Sequence, residues 1–305
     1  MIKIVKFTIT VSALIYISYD LNFKELYNSF LEFNMFGIFL TLIINMFSFI
    51  LVAYRWRFLS KNICSLKASI ESTFICLGVN NITPAKLGEV AKGFYLKQFY
   101  GYFIAKSFAL MIIERVFDVI ILISLLIFIS YYIEVSNIFL LTLFIVFSLL
   151  LLTLFLLKPK LFLKFTLKYS PKIVKNFLVN VIKTIARVEF KEWLVISLYT
   201  ILLWSIYYLA TFIFTKIASN FELDYFQILV VFIFSSIGMA LPSTPGGIGV
   251  FEAGVVFALS LYGIEKEEAL SFGLILHMLQ YIPTTLIAIF IINRKDFNFR
   301  KSFEN

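Results

Sequence analysis

Thr83-Pro84-Ala85-Lys86-Leu87-Gly88 and Thr244-Pro245-Gly246-Gly247-Ile248-Gly249 follow one pattern: Thr-Pro, two variable residues, an aliphatic residue and a glycine. Each closes one apolar run and opens another. The chemistry open to such a break is anion binding. Thr83 suits a helix N-cap and Pro84 the first helical position, and Ser243 or Thr244 with Pro245 repeats the arrangement. A helix start exposes unpaired N–H groups and about half a positive charge, and inside a bilayer such donors need partners. Gly246, Gly247 and Gly249 allow close approach to the backbone, as glycines do in phosphate-cradling loops. Two such starts facing each other would hold an anionic headgroup, a phosphate above all. The rival reading gives these glycines only tight helix contact, and chance alone can also match a handful of positions.

Ionisable residues inside apolar runs are the second signal. Glu114, Arg115 and Asp118 share one such run, with Glu114 and Asp118 on one helical face. Charges there are costly and face a bundle interior or a wet cavity. Arg115 can pair with a carboxylate or a phosphate; a purely structural ion network is the alternative. Lys86 and Glu89, with Lys92 one turn on, would line the first break. Glu252, about two turns after the second Thr-Pro, is open to a helix-capping or a proton-relay role. His277, the single histidine, reads as a buried, hydrogen-bonded residue or a titratable one. Arg55-Trp56-Arg57 ends an apolar run and reads as interfacial. Cys64 and Cys76 lack metal-ligand spacing, so neither a metal site nor a cofactor is expected. Gly246-Gly247-Ile248-Gly249 follows no strand and is not a dinucleotide fingerprint.

The elements that must position these residues are membrane helices. Of 305 residues 61% are hydrophobic and 15% charged, against about 25% charged in soluble domains. Residues 137–157 carry no charge and match the roughly 20 residues that cross a bilayer. Alternating strands are absent, which excludes a barrel. The net charge of +9 follows from Lys and Arg collecting in cytoplasmic loops rather than from nucleic-acid binding. Lys3 and Lys6 precede the first run, and Tyr16 to Asp20 is no cleavage site, so the start reads as an uncleaved span.

Loop charges then set the topology. Spans are expected at about 5–19, 35–54, 107–132, 137–157, 193–217 and 268–292, with both termini cytoplasmic in a multi-pass inner-membrane protein. Residues 68–83 are short and apolar with basic flanks, which predicts a hairpin entering from the cytoplasm. Residues 225–264 have acidic flanks, which predicts one entering from outside. The fold expected is all-α, with six spans, two oppositely oriented re-entrant hairpins and an inverted-repeat character. One domain, 1–305, would comprise halves of about 1–157 and 192–305. The basic stretch 158–191 would join them, lying on the inner membrane face or serving as a plain loop.

Arg55-Trp56-Arg57, Asn81 with Pro84 to Glu89, Glu114-Arg115 with Asp118, and Pro242 with Pro245 to Glu252 resemble, in order, the lysylphosphatidylglycerol synthase transmembrane family, the flippase-like domain proteins. In multiple peptide resistance factor proteins this domain is implicated in moving aminoacylated phosphatidylglycerol between leaflets, a separate soluble domain making the lipid. The resemblance therefore implies the membrane half alone and no aminoacyl transfer. Two positions depart from the family: Lys86 and Lys92 stand where Arg is common, and His277 lies near a usual Tyr-Arg pair.

The function expected is translocation of an anionic phospholipid or polyprenyl-phosphate-linked lipid, through rocking of two halves. Thr83, Pro84, Lys86, Gly88, Glu89, Lys92, Arg115, Thr244, Pro245, Gly246, Gly247 and Gly249 would surround the headgroup, with Glu114, Asp118, Glu252 and His277 balancing charge or relaying protons. The alternatives are a membrane-embedded enzyme or accessory subunit of lipid glycosylation, for which the sequence offers Glu114 and Asp118 but no Asp-x-Asp and no histidine cluster, and a small-anion channel. A homo-oligomer and a separate lipid-modifying enzyme are the further partners considered.

Overall fold

The computed structural model describes residues 2–83, 86–130, 171–240 and 244–297. The expected span 137–157, residues 158–170 of the basic stretch, Pro84, Pro242 and Ser243 lie outside them. Among the described residues the secondary structure is helical: α1 (Ile2–Ser18), α2 (Phe23–Leu31), α3 (Met35–Leu59), α4 (Leu66–Ile82), α5 (Gly88–Tyr100), α6 (Ile104–Ser130), α7 (Lys172–Ile185), α8 (Phe190–Ile213, ending in a π-helical turn Phe214–Ala218), α9 (Tyr225–Ala240), α10 (Val250–Ser260) and α11 (Lys266–Lys295). The protein is an all-α membrane protein. Helices α3, α8 with its π turn, and α11 are each long and apolar enough to cross a bilayer. Helices α4, α5, α9 and α10 are shorter, with 17, 13, 16 and 11 residues. At about 1.5 Å per residue none reaches the roughly 30 Å of a hydrocarbon core. Both breaks expected from sequence fall between such short helices.

The chain forms two compact units, each discontinuous in sequence: residues 1–52, 73–88 and 203–296 make the first, and 53–72, 89–202 and 297–305 the second. In the first, glycines set the helix approaches. A Cβ on Gly238 would lie 2.5 Å from the Val250 carbonyl oxygen, and one on Gly254 would lie 2.5 Å from that of Phe234. Helices α9 and α10 therefore touch backbone to backbone, as small residues permit in membranes. Gly78 meets Ala288 and the Thr284 carbonyl in the same way, which seats α4 on α11. The N–H of Asn22 donates to Glu267 Oε1 at 2.9 Å, fixing the start of α2 to α11.

The second unit has its own core, in which Trp56, Leu96, Ala109, Ile113 and Ile196 are fully buried. The Tyr95 and Tyr100 hydroxyls both donate to Glu71 Oε2, at 2.7 and 2.5 Å, and clamp α5 to α4. Helix α7 is amphipathic. It buries Val181, Ile182 and Ile185 and exposes Lys183, while Phe177 packs edge-on against Phe108 of α6. Between α3 and α4, burial pushes the Cys64 thiol up from its ordinary range, so it stays a neutral thiol at physiological pH.

Candidate functional site

The two breaks meet within the first unit. Helix α4 ends at Asn80-Asn81-Ile82, and both asparagines carry the tip. Asn80 Oδ1 accepts the Gly88 N–H at 2.7 Å, so a side chain from α4 satisfies the start of α5. Asn81 Nδ2 lies 3.1, 3.0 and 2.9 Å from the Tyr281 carbonyl, Thr284 Oγ1 and Thr285 Oγ1 of α11. In return the Tyr281 hydroxyl donates to the Asn81 carbonyl at 3.0 Å. The Tyr281 ring also forms the wall of the second tip: a Cβ on Gly246 would lie 2.5 Å from its Cε2 and 3.3 Å from the Asn81 oxygen. The exposed Lys86 donates from Nζ to the Ala240 carbonyl at 3.2 Å, closing the end of α9. A cation suits that position, since the last carbonyls of a helix carry partial negative charge.

The second tip has glycine backbone at the positions where side chains fit poorly. Gly246, Gly247 and Gly249 have φ of 67°, 79° and 87°, the left-handed region that glycine enters without steric cost. Glu252, 1% exposed, reaches back so that Oε2 accepts the Gly249 N–H at 2.6 Å, which settles the capping role left open by the sequence. Its other oxygen, Oε1, lies 2.7 Å from His277 Nδ1, and His277 Nε2 lies 3.0 Å from the Gly246 carbonyl. His277 is itself 1% exposed. Carboxylate, imidazole and glycine carbonyl thus form one chain of contacts at the root of the tip.

Neither threonine caps a helix with its side chain. The Thr83 hydroxyl donates back to the Val79 carbonyl at 2.6 Å, since α4 is still ending there. Thr244 does precede a short 3-10 turn with Pro245 in its first position, but its hydroxyl donates to the Ile248 carbonyl at 2.5 Å. Each tip joins a helix end to a helix start, so its field is mixed rather than purely positive. Gly88 serves close packing: a Cβ there would collide with the Cys76 carbonyl.

The second unit holds the other group of candidates. Arg55 Nε lies 3.2 Å from Glu114 Oε1, and its two terminal nitrogens donate to Asp118 Oδ1 and Oδ2 at 2.7 and 3.2 Å. Thr200 Oγ1 lies 3.1 Å from Arg55 Nη1. Lys92 Nζ sits 3.8 Å from Glu114 Oε2 and 3.5 Å from the centre of the Trp56 ring, a cation–π distance. Arg115, half-exposed, pairs with Glu89 at 3.4 Å and Asp118 at 3.5 Å. Among the described residues Arg55, Lys92 and Arg115 therefore face Glu89, Glu114 and Asp118. Arg55 and Trp56, expected at the membrane interface, are buried at 1% and 0% exposure, and only Arg57 of the three stays partly exposed. Helix α3 runs on to Leu59, which carries Arg55 into this network. The sequence reading missed Arg55 as the hub, and missed Asn80, Tyr281 and Glu71. Two adjacent asparagines closing an apolar helix were the available signal.

Replacing Asn81 by leucine removes the amide that ties α4 to α11, while Thr284 and Thr285 keep their bonds to the Gln280 and Tyr281 carbonyls. Loss of about 0.5–1.5 kcal/mol is expected, read as a lower midpoint of thermal unfolding in detergent.

Comparison with known proteins agrees with the pattern of these residues. Residues 3–288 match the sequence profile of the family described as "Lysylphosphatidylglycerol synthase TM region". A "UPF0104 membrane protein" of Methanocaldococcus jannaschii is 28% identical over 238 residues, covering 71% of this chain and 94% of that relative. The chain belongs to the lysylphosphatidylglycerol synthase transmembrane family.

Proposed function

We propose that this protein is a lipid translocase of the cytoplasmic membrane, with both termini cytoplasmic and its two short-helix hairpins entering from opposite faces. Its substrate is an anionic phospholipid or a polyprenyl-phosphate-linked lipid, whose headgroup passes the paired tips while its tails stay in the bilayer. It performs no bond-making chemistry; an enzyme that modifies the lipid would be a separate protein. The observation that carries the reading is the meeting of two broken helical hairpins through Tyr281, Asn81, Lys86 and Ala240. Broken helices of this kind mark substrate sites in membrane transporters.

Charge supports an anionic substrate. Between residues 73 and 88 Lys86 is the one charged residue, and between 225 and 260 Glu252 is the one charged residue. Lys86 is exposed and Glu252 is buried on His277, so the accessible face of the paired tips carries a cation. Thr83, Thr244 and Pro245 of the same two tips are partly exposed. A path for an acyl chain is also at hand. Leu14 of α1 lies against Gly249, and a groove of about 410 Å³ is lined by Ile15, Tyr16, Tyr19, Val256, Ser260 and Lys266.

Reconstitution into liposomes with a fluorescent anionic lipid in one arm and a polyprenyl-phosphate-linked lipid in another tests this. Movement between leaflets at least about tenfold faster than in empty liposomes, reduced in Lys86→Ala, is expected. Rates equal to empty liposomes for both lipids would refute it, and product formation from a sugar-linked donor would replace it with an enzyme.

A further inference from the structure

The contacts of His277 fix a proton count. Its Nε2 faces the Gly246 carbonyl at 3.0 Å, an atom that can only accept, so Nε2 carries hydrogen. Its Nδ1 faces Glu252 Oε1 at 2.7 Å. That distance needs one more proton, either on Nδ1 donating to the carboxylate or on Oε1 donating to Nδ1. Without it, two lone pairs would oppose each other at hydrogen-bond range in a site closed to water. The other tautomer offers no escape, because it turns a ring lone pair onto the Gly246 carbonyl. Glu252 cannot simply withdraw, since Oε2 holds the Gly249 N–H at 2.6 Å.

In the first unit, α3 from Met35 to Val52, α4 from Thr73, and α9 carry no charged residue, and α10 carries only Glu252. The π turn and the segment after it, which pack on Phe272 of α11 through Phe214 and Phe221, bring the exposed Lys216 and, further on, Glu222 and Asp224. The rings against the imidazole are Phe251 at 4.5 Å and Tyr281 at 5.9 Å. On α11 itself the nearest charges, Glu268 and Arg294, are nine and seventeen residues away. Helix α1 offers Tyr16, with Lys3 and Lys6 in its first turns and Tyr19 and Asp20 just past its end; α2 carries Lys24 and Glu25, with Glu32 just after it, and its start is bonded to Glu267 of α11. Lys86 holds the Ala240 carbonyl.

We propose that Glu252 and His277 form a proton-binding site that latches the glycine tip. One proton taken from water is shared between Oε1 and Nδ1 while the tip is closed. When it returns to water, either the Gly246 carbonyl or the Gly249 N–H must lose its partner, and the tip opens. Resting on the translocase reading, this makes the proton the coupling ion for headgroup passage. His277 and Glu252 act through the backbone of the tip and are positioning residues.

The single histidine makes the test direct. Histidine labelled with ¹⁵N in nanodisc-embedded protein gives the signals of one imidazole, followed from about pH 5 to about pH 9. Over the same range hydrogen exchange at the Gly249 N–H, which Glu252 holds at 2.6 Å, corrected for intrinsic rates, reports the tip. Loss of the shared proton is expected to coincide with a fall of about tenfold or more in protection there. Glu252→Gln keeps a donor for Nδ1 and an acceptor for Gly249, so its tip should stay protected at every pH. In liposomes a pH gradient should alter lipid movement by the native protein, while Glu252→Gln, its tip held closed, should move lipid no faster than empty liposomes with or without the gradient. An imidazole that keeps one protonation state throughout, or protection that ignores its titration, overturns the proton site. Titration with coupled protection but no lipid movement in any liposome arm refutes the translocase reading and leaves the proton site standing.

Discussion

Arg55→Met is expected to cost the protein its folded state in detergent. The substitution keeps most of the side-chain volume and removes the group that binds Glu114 through Nε and Asp118 through both terminal nitrogens. Glu114 is 2% exposed, and Lys92 alone, 3.8 Å away, does not replace a bidentate guanidinium. Breaking a buried pair from one side costs about 3–5 kcal/mol, because the abandoned charge stays buried. Size-exclusion profiles and thermal unfolding should show aggregation or a large drop in midpoint. Arg55→Lys should fall between, keeping charge and losing the fork. The triple variant Arg55→Met, Glu114→Gln, Asp118→Asn should recover much of the loss, since no carboxylate is then left unpaired. Failure of that rescue would mean that Arg55 matters through packing against α8 rather than through charge.

Gly246→Ala is expected to abolish lipid movement while leaving a folded protein. A non-glycine residue at φ 67° costs about 1–3 kcal/mol. The new methyl group would also stand 2.5 Å from Tyr281 Cε2, so the ring must turn. Its hydroxyl then leaves the Asn81 carbonyl, which unties the first tip from α11. The lesion reaches both tips through one aromatic side chain. Reconstituted Gly246→Ala should move lipid at the rate of empty liposomes and elute as the native protein does. Tyr281→Phe, which keeps the ring and drops the hydroxyl bond, should retain part of the rate. Native transport by Gly246→Ala would show that the tip's backbone is not involved.

The hydrocarbon thickness made the long apolar helices readable. The helices at Met35–Leu59, Phe190–Ala218 and Lys266–Lys295 fall where uncharged runs of crossing length lie, because a bilayer admits little else. The two breaks were visible because proline and glycine interrupt apolar runs that would otherwise continue. Side-chain partnership was harder. Arg55 follows an apolar run and shows no sign of its partners there; its pairing with Glu114 and Asp118 depends on helix packing that local sequence does not encode. Thr83 looked like a cap for α5, yet the donor that starts α5 is satisfied by Asn80 from the preceding helix. Glu252 and His277 were each noticed as a lone charge or titratable group in apolar surroundings. Their pairing across α10 and α11 rests on a helix crossing that only the packed structure displays.

A translocase of the proposed kind must hold an anionic lipid headgroup at its two tips. Photo-cross-linking with an anionic lipid carrying its reactive group on the phosphate, mapped by peptide mass spectrometry in nanodiscs, reads that contact. Adducts concentrated in residues 81–88 and 244–252, and lost in Lys86→Ala, are the predicted result. Adducts confined to outward-facing residues such as Phe39, Ile43, Leu198 and Leu286, with the tips unlabelled, would contradict it.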